Sequence, residues 1–324
     1  MRANLIRVGL LVLGLFVGLL ALELGLRLFF PDSLMGAATQ LQFAAGGQKH
    51  FQPDPECGYI PVLDDDVYDG YGCRLDRGRQ LDSYDGEDRQ GRCRILFVGD
   101  SVTRRERTMR ALQKLYGDKL YEYWNAGVES FNVEQELIFY RRVNRKLKPD
   151  QVILTFHNND FQETPLVSRK DGQLQVLFLR KDRAQIDPWW FNHSYLYRWL
   201  TGINLGRFDR DRRRQAMSEA LAGWTETLAQ DKVSFSVILL PILKPIDQWT
   251  TREKWSRETA LQLLGEQKIR YFDLLSDMEV ALKEGVSIQE SPDDSWHPSA
   301  EAAEHFAKHL HSQGILSASG TSGR

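Results

Sequence analysis

A serine hydroxyl becomes a nucleophile when an imidazole takes its proton and a carboxylate holds that imidazole. The chain offers one of each where secondary structure is expected to end. In ILFVGDSVTRRERT, residues 95–108, an apolar run breaks at Gly99-Asp100-Ser101 and gives way to an arginine-rich segment. Such a tripeptide is also ordinary turn chemistry, so Ser101 needs partners before it means anything. His297 can be its base, and Asp294, three residues earlier, can reach round to the imidazole Nδ1 proton.

Acyl transfer also requires donors aimed at the oxygen that becomes negative in the tetrahedral intermediate. The backbone N–H groups of Ser101 and Gly127 and the side-chain amide of Asn159 are candidates, with glycine at 127 expected because a side chain there would crowd the acyl group.

The elements that must position these residues are legible from residue 93 onward. Short apolar runs alternate with helical segments: RILFVG, a helix over 106–116, YEYWNAG, a helix over 133–147, and DQVILTF. The alternation then repeats with a helix near 211–229, SFSVILLPI, a helix near 252–266, IRYFDLL and a last helix over 299–312. It predicts βαβ units and a three-layer α/β/α fold, a flavodoxin-like, doubly wound, five-stranded parallel sheet. Ligands of such sheets bind at the carboxyl ends of the strands. The residues just after the runs are Gly99-Asp100-Ser101, Asn125-Ala126-Gly127 and His157-Asn158-Asn159-Asp160, with Asp294-Ser295-Trp296-His297 before the last helix.

Those four segments, in that order, resemble the SGNH (GDSL-type) hydrolase superfamily, membrane-anchored bacterial type, over about residues 93–313. The resemblance implies that Ser101 is nucleophile, His297 base and Asp294 its orienter. It also implies an oxyanion hole of Ser101, Gly127 and Asn159 and no cofactor or metal. Asp100, His157, Asp160, Arg104 and Trp296 are expected to line the site. Two features depart from the family pattern. His157 replaces the glycine of the third motif and is read as wall, not catalyst. The segment after Ser101 is short and basic, Thr103-Arg104-Arg105-Glu106-Arg107, so it is read either as a binder of anionic substrate or as a solvated helix start with Glu106 paired to a neighbour.

Other clusters carry less. His305 and His309 stand one helical turn apart without a third ligand and read as a surface pair. Asp64, Asp65, Asp66 and Asp69 lack EF-hand spacing and read as an acidic turn. Arg207, Arg210, Arg212, Arg213 and Arg214 read as a solvated helix start.

With 42% hydrophobic and 27% charged residues the chain can bury a full core, and a net charge of −2 gives no electrostatic support for nucleic-acid binding. Its first 30 residues differ: Arg2 and Arg7 precede an apolar run, Glu23 and Arg27 sit near its far end, and no small-x-small cleavage site follows. The reading is an uncleaved signal anchor spanning a membrane through residues 8–28, its N-terminus cytoplasmic and the rest extracytoplasmic, periplasmic or at the cell surface. Gly14 and Gly18 have GxxxG spacing, read as ordinary membrane-helix glycines.

Residues 31–92 then form an irregular connector, 93–315 the hydrolase-like domain with an insert over 161–210 serving as lid, and 316–324 a disordered tail. Trp189, Trp190, Tyr195, Tyr197 and Trp199 in the insert read as burial against the domain, with sugar stacking or membrane contact as alternatives. Three cysteines lie on the external side, where oxidation is permitted; Cys57–Cys73 is the bridge taken, Cys73–Cys93 the alternative, and three free thiols the remaining reading.

Together these imply a serine ester hydrolase, or an O-acyltransferase using the same acyl-enzyme, acting on O-acyl and foremost O-acetyl groups of a cell-surface carbohydrate, in company with envelope polysaccharide machinery. The rivals are a lysophospholipase or lipase acting on a lipid ester, and a non-catalytic scaffold that kept the fold.

Overall fold

In a computed structural model, residues 2–29, 47–75, 87–89, 91–162, 164–170, 173–177, 190, 193–197, 199–200 and 210–316 are described. Residues 30–46 and 76–86 of the connector, Trp189, Arg207 and the tail from 317 lie outside them.

Five parallel strands form the sheet expected from the sequence: β3 (Cys93–Gly99), β4 (Tyr121–Gly127), β5 (Gln151–Phe156), β8 (Ser234–Leu239) and β9 (Tyr271–Asp273), in the order β4-β3-β5-β8-β9. This is the doubly wound order in which the strand sequence reverses beside the first strand, so the crevice for a ligand opens at the end of β3. β4 and β5 are buried throughout and β3 from Arg94 on, which is why these segments read as nearly unbroken apolar runs.

Alternation along each strand sorts side chains into two cores. Ile95, Phe97, Tyr123, Ile153 and Ile238 face one side, packing with Leu112 of α3 (Arg107–Tyr116), Met278 of α7 (Leu275–Lys283) and Phe306 of α8 (Ala300–Ser312). Leu96, Val98, Val152, Leu154 and Val237 face the other. They pack with Leu137 of α4 (Val133–Arg142), Trp224 of α5 (Arg210–Asp231) and Leu263 of α6 (Thr251–Glu266). The short helix α2 (Ser101–Arg104) belongs to the site below. The sequence reading contains no α7, which follows β9 after a single residue.

The expected irregular connector holds more order than its composition suggested. β1 (Phe51–Asp54) and β2 (Gly58–Pro61) form an antiparallel hairpin, and Tyr68 bridges Arg74. Asp65 and Asp69 behave as turn acids: Asp65 Oδ1 accepts the amides of Val67 and Tyr68 at 2.7 Å each, and Asp69 Oδ1 those of Tyr71 and Cys73 at 2.9 and 2.8 Å.

Contacts divide the chain into two units, residues 43–162 with 210–324, which carry the sheet, and residues 1–42 with 163–209. In the second unit α1 (Arg2–Phe29) includes an apolar stretch, Ile6–Phe29, long enough to cross a membrane: 24 residues, or ~36 Å at the helical rise. The polar pair at its end has a structural role. Glu23 accepts hydrogen bonds from Ser194 Oγ and from the amides of Tyr195 and Leu196 at 2.7–3.0 Å, while Arg27 donates to Glu23 and to the His193 carbonyl. The insert also contains an antiparallel pair, β6 (Leu166–Lys170) and β7 (Gln173–Leu177).

No disulfide joins Cys57, Cys73 or Cys93, which overturns the Cys57–Cys73 bridge. Cys57 is buried beside the Gln135 carbonyl at 3.7 Å, whereas Cys73 is buried in the core with Leu96 and Trp124. Burial pushes the Cys73 thiol well up and Cys93 to about 11, so neither forms thiolate readily.

Trp224 illustrates what holds the second core. It is fully buried, lies 5.1 Å from the Tyr140 ring and 5.8 Å from Phe235, and donates from Nε1 to the Val133 carbonyl at 3.2 Å. Trp224→Ala is expected to cost about 3–5 kcal/mol, read as a lowered urea midpoint with little change in slope.

Candidate active site

Strand β3 ends because Gly99 brings the chain too close to α2 for any side chain. A Cβ there would lie 2.2 Å from Thr103 Oγ1. Asp100 then caps α2, one carboxylate oxygen accepting the Val102 amide at 2.8 Å and the other the Asn159 side-chain amide at 2.6 Å. Ser101 is thus the first residue of a helix turn at the carboxyl edge of the sheet.

The partners arrive from the far end of the chain on the segment before α8. A bridge between Gln289 and Pro298, and a hydrogen bond from the Glu290 amide to the His297 carbonyl at 3.0 Å, fold this segment back on itself. The Leu243 amide, beyond β8, holds the Ser295 carbonyl at 2.9 Å, and Ser299 caps α8.

Ser101 Oγ lies 2.8 Å from His297 Nε2, and His297 Nδ1 lies 2.8 and 3.0 Å from the two oxygens of Asp294. The carboxylate holds the imidazole proton on Nδ1, so Nε2 presents its lone pair and the serine hydroxyl donates to it. Partial burial alone would raise Asp294. The hydrogen bonds from His297 Nδ1 and from the amides of Trp296 and His297 outweigh it and keep the carboxyl below its usual range.

The remaining predicted residues are placed unevenly. Asn159 stands near Ser101, bonded to the cap residue Asp100. Gly127 is paired to Gly99 across β3 and β4, but its amide donates to Asn125 Oδ1 at 2.8 Å and in this arrangement is not a free donor. Its lack of a side chain has a different cause from the acyl crowding expected: a Cβ would lie 2.3 Å from the Arg104 backbone nitrogen. Glycine is needed so that α2 can pack on β4.

His157 is wholly buried, with Nδ1 3.3 Å from Asn159 Oδ1 and its ring 5.0 Å from that of Trp296, which is one-third exposed. Burial, reinforced by the nearby His297, lowers it to about 4, so it is a neutral imidazole. Asp160 accepts the His157 amide at 2.5 Å.

The basic segment is occupied by the protein's own carboxylates. Arg104 pairs with Glu129 at 3.0 Å, Arg110 with Glu106 at 2.7 Å, and both Arg105 and Arg107 with Glu290. Arg107 also donates to the Pro298 carbonyl at 2.5 Å. Of the two readings of this segment, internal pairing of Glu106 is the one observed. Glu290 was missed from sequence. The only available signal was that closely spaced arginines need acids, and nothing in the pattern pointed 183 residues downstream.

Among the described residues, two groups bring metal-ligating atoms within 4.8 Å of one another, His50/Asp65/Asp66 and Glu290/Asp294/His297. In both, the donors are engaged already: His50 Nδ1 with Asp65 Oδ2 at 2.7 Å, and the second set with the arginines and the histidine relay. His309 and His305 face separate acids, Asp277 at 2.9 Å and Glu284 at 3.8 Å.

Behind the site lies a feature without a sequence signature. Glu136, in the first turn of α4, is buried with no hydrogen-bond partner for either oxygen among the described residues, and Asp160 Oδ1 likewise has none there. Burial, augmented by the neighbouring Asp160 and Asp100 carboxyls, pushes Glu136 well above the carboxylate range; burial and Asp100 do the same to Asp160.

Against known proteins, no family model matches the chain and no curated protein does. Solved structures do align. An α/β hydrolase enzyme, LAE5, from the metagenome of Lake Arreo, Spain, aligns at 13% identity with TM-score 0.46 over 69% of this chain and 96% of its own. The acetyl xylan esterase AlAXEase aligns at 14% identity and TM-score 0.44 over 68% and 98%, and a GDSL-like lipase from Bacteroides thetaiotaomicron at 16% and 0.41 over 68% and 87%. The strand order and the position of the segments holding Ser101, Gly127 and Asn159 at strand ends are those expected from the sequence.

Glu136 keeps a proton in the folded protein that the unfolded chain releases above about pH 4.3, so its burial costs stability as pH rises from there. Glu136→Gln is expected to shrink the loss of melting temperature between about pH 5 and about pH 8. Thermal melts of both proteins across that range check it.

Proposed function

We propose that the chain is a serine ester hydrolase, held at a membrane by α1 with its sheet domain on the extracytoplasmic side, that removes O-acyl and foremost O-acetyl groups from a cell-surface carbohydrate. The observation that carries this reading is the continuous relay Asp294–His297–Ser101, with both contacts at 2.8 Å. Ser101 Oγ attacks the acyl carbonyl carbon as its proton moves to His297 Nε2, and Asp294 stabilises the imidazolium. The Ser101 amide and Asn159 Nδ2 face the developing oxyanion. Gly127 joins them if its amide leaves Asn125. Collapse of the tetrahedral adduct expels the sugar oxygen, which takes the proton back from His297. Water, deprotonated by His297, then attacks the acyl-enzyme and regenerates the serine. A sugar hydroxyl in place of water makes the same site an O-acyltransferase.

Trp296, part exposed beside His297, offers a face on which a sugar ring can stack, which supports a carbohydrate ester over a lipid one. Hydrolysis of p-nitrophenyl acetate by the intact chain tests the chemistry. Ser101→Ala is expected to lower kcat/KM by roughly a thousandfold or more, and Asp294→Asn to lower kcat with little change in KM. Equal rates for wild type and Ser101→Ala would remove this reading. A steep rise in activity on micellar long-chain esters, with none on acetylated oligosaccharide, would replace it with a lipase.

A further inference from the structure

The loops leaving β5 and β8 diverge at the carboxyl edge of the sheet, and the first turns of α6 close the gap between them. The result is a small pocket with apolar walls, Phe156 and Trp249 among them, and five polar residues, His157, Asn158, Glu253, Ser256 and Arg257. All but Glu253 carry a buried atom with no partner among the described residues: His157 Nε2, Asn158 Oδ1, Ser256 Oγ and Arg257 Nη1. The His157 and Ser256 side chains are 0% and 1% exposed, so water outside does not satisfy them. Buried polar atoms without partners are uncommon, and four on the walls of one pocket point to a ligand.

The types of those atoms define what fits. Asp100 fixes the Asn159 amide with Nδ2 as donor, so Asn159 Oδ1 accepts from His157 Nδ1 and the His157 Nε2 lone pair is an acceptor. Asn158 Oδ1 is a second acceptor, Arg257 Nη1 a donor, and Ser256 Oγ either. A carboxylate has no proton for the two acceptors, hydrogen phosphate brings more oxygens than a pocket this small can take, and an ammonium has no lone pair for the guanidinium. A hydroxyl gives its one proton to one acceptor and accepts from Arg257, while the Ser256 hydroxyl donates to the other acceptor. Charge points the same way, because Arg257 is already neutralised by Asp273 and Glu253 by Lys244. The cavity, about 10 Å³, holds one such oxygen. It also adjoins the relay: His157, one of its walls, packs on Trp296, the neighbour of His297.

We propose that this pocket is a recognition subsite for a single hydroxyl of the carbohydrate, with the ring resting against Trp296 and the ester-bearing carbon turned to Ser101. The subsite rests on the reading of the chain as a carbohydrate esterase. It gives a role to the histidine that stands where the family motif has glycine.

Methyl α-D-glucopyranoside is the probe, titrated into the intact detergent-solubilised chain while the indole N–H signals of Trp249 and Trp296 are followed by NMR. Ser256→Thr and Ser256→Val are compared because they have nearly the same volume and differ in the hydroxyl. Saturable binding by wild type and by Ser256→Thr is expected, at least about tenfold weaker in Ser256→Val, with no response to inorganic phosphate. Equal affinity in the two variants, whether kept or lost, overturns the subsite, as does phosphate displacing the sugar or an absence of saturable binding by wild type. Sugar binding in a protein inert toward p-nitrophenyl acetate would leave the pocket standing while the esterase reading failed. The reverse result would fail the pocket alone.

Discussion

The hydrogen bond between Ser101 and His297 joins residues 196 apart, and the chemistry proposed for this chain depends on it. One bond of that kind contributes little against the entropy of holding two loops together. What holds them is a second set of contacts joining the same two segments. Glu290 binds Arg105 and Arg107 from the turn after α2, and its own amide is bonded to the His297 carbonyl. Arg107 reaches further to the Pro298 carbonyl. Single surface ion pairs are weak, but these share one carboxylate and one peptide segment, so ordering one orders the rest. The basic stretch after Ser101 thereby acts as a fastener of the loop that carries His297.

A second constraint is the cluster of buried polar groups behind Ser101. Asp100 spends its oxygens on the Val102 amide and Asn159, Asp160 spends one of its two on the His157 amide, and His157 stays neutral. Glu136 adds a buried carboxyl with no hydrogen-bond partner among the described residues. Such groups lower stability, and they lie together under the strand ends that carry Ser101 and Asn159. That placement fits a site where local preorganisation is kept at the expense of global stability.

Much of this was readable in the sequence because the controlling rules are local. Buried parallel strands must be short apolar runs, and their ends are the positions where ligands bind, so the sheet and the segments holding Ser101, Asn159 and His297 followed from pattern alone. The errors came where a long-range fact decided. Cys57 and Cys73 are close in sequence, yet they sit in different environments, one against α4 and the other in the core beside β4. Gly127 was assigned to substrate access, but its constraint is the backbone of Arg104, and no pattern shows which chain segment will press on a glycine. The hairpin β1–β2 went unseen because four-residue strands carry too little alternation to rise above a polar, glycine-rich background. Glu290 and Glu136 were invisible for the same reason, since a lone glutamate has no periodicity.

The two borders of the sheet are both short of free bonding edge. On one side β9 is only three residues long; on the other the connector lies along β4, with the Arg74 amide donating to the Asn125 carbonyl and Tyr68 reaching the Gly127 carbonyl. A neighbouring molecule looking for an open strand finds a stub at one end and an occupied rim at the other. Among the described residues, copies crowded side by side find little of this five-stranded sheet's edge to zip onto, and a polar-looking connector turns out to serve as a selvedge.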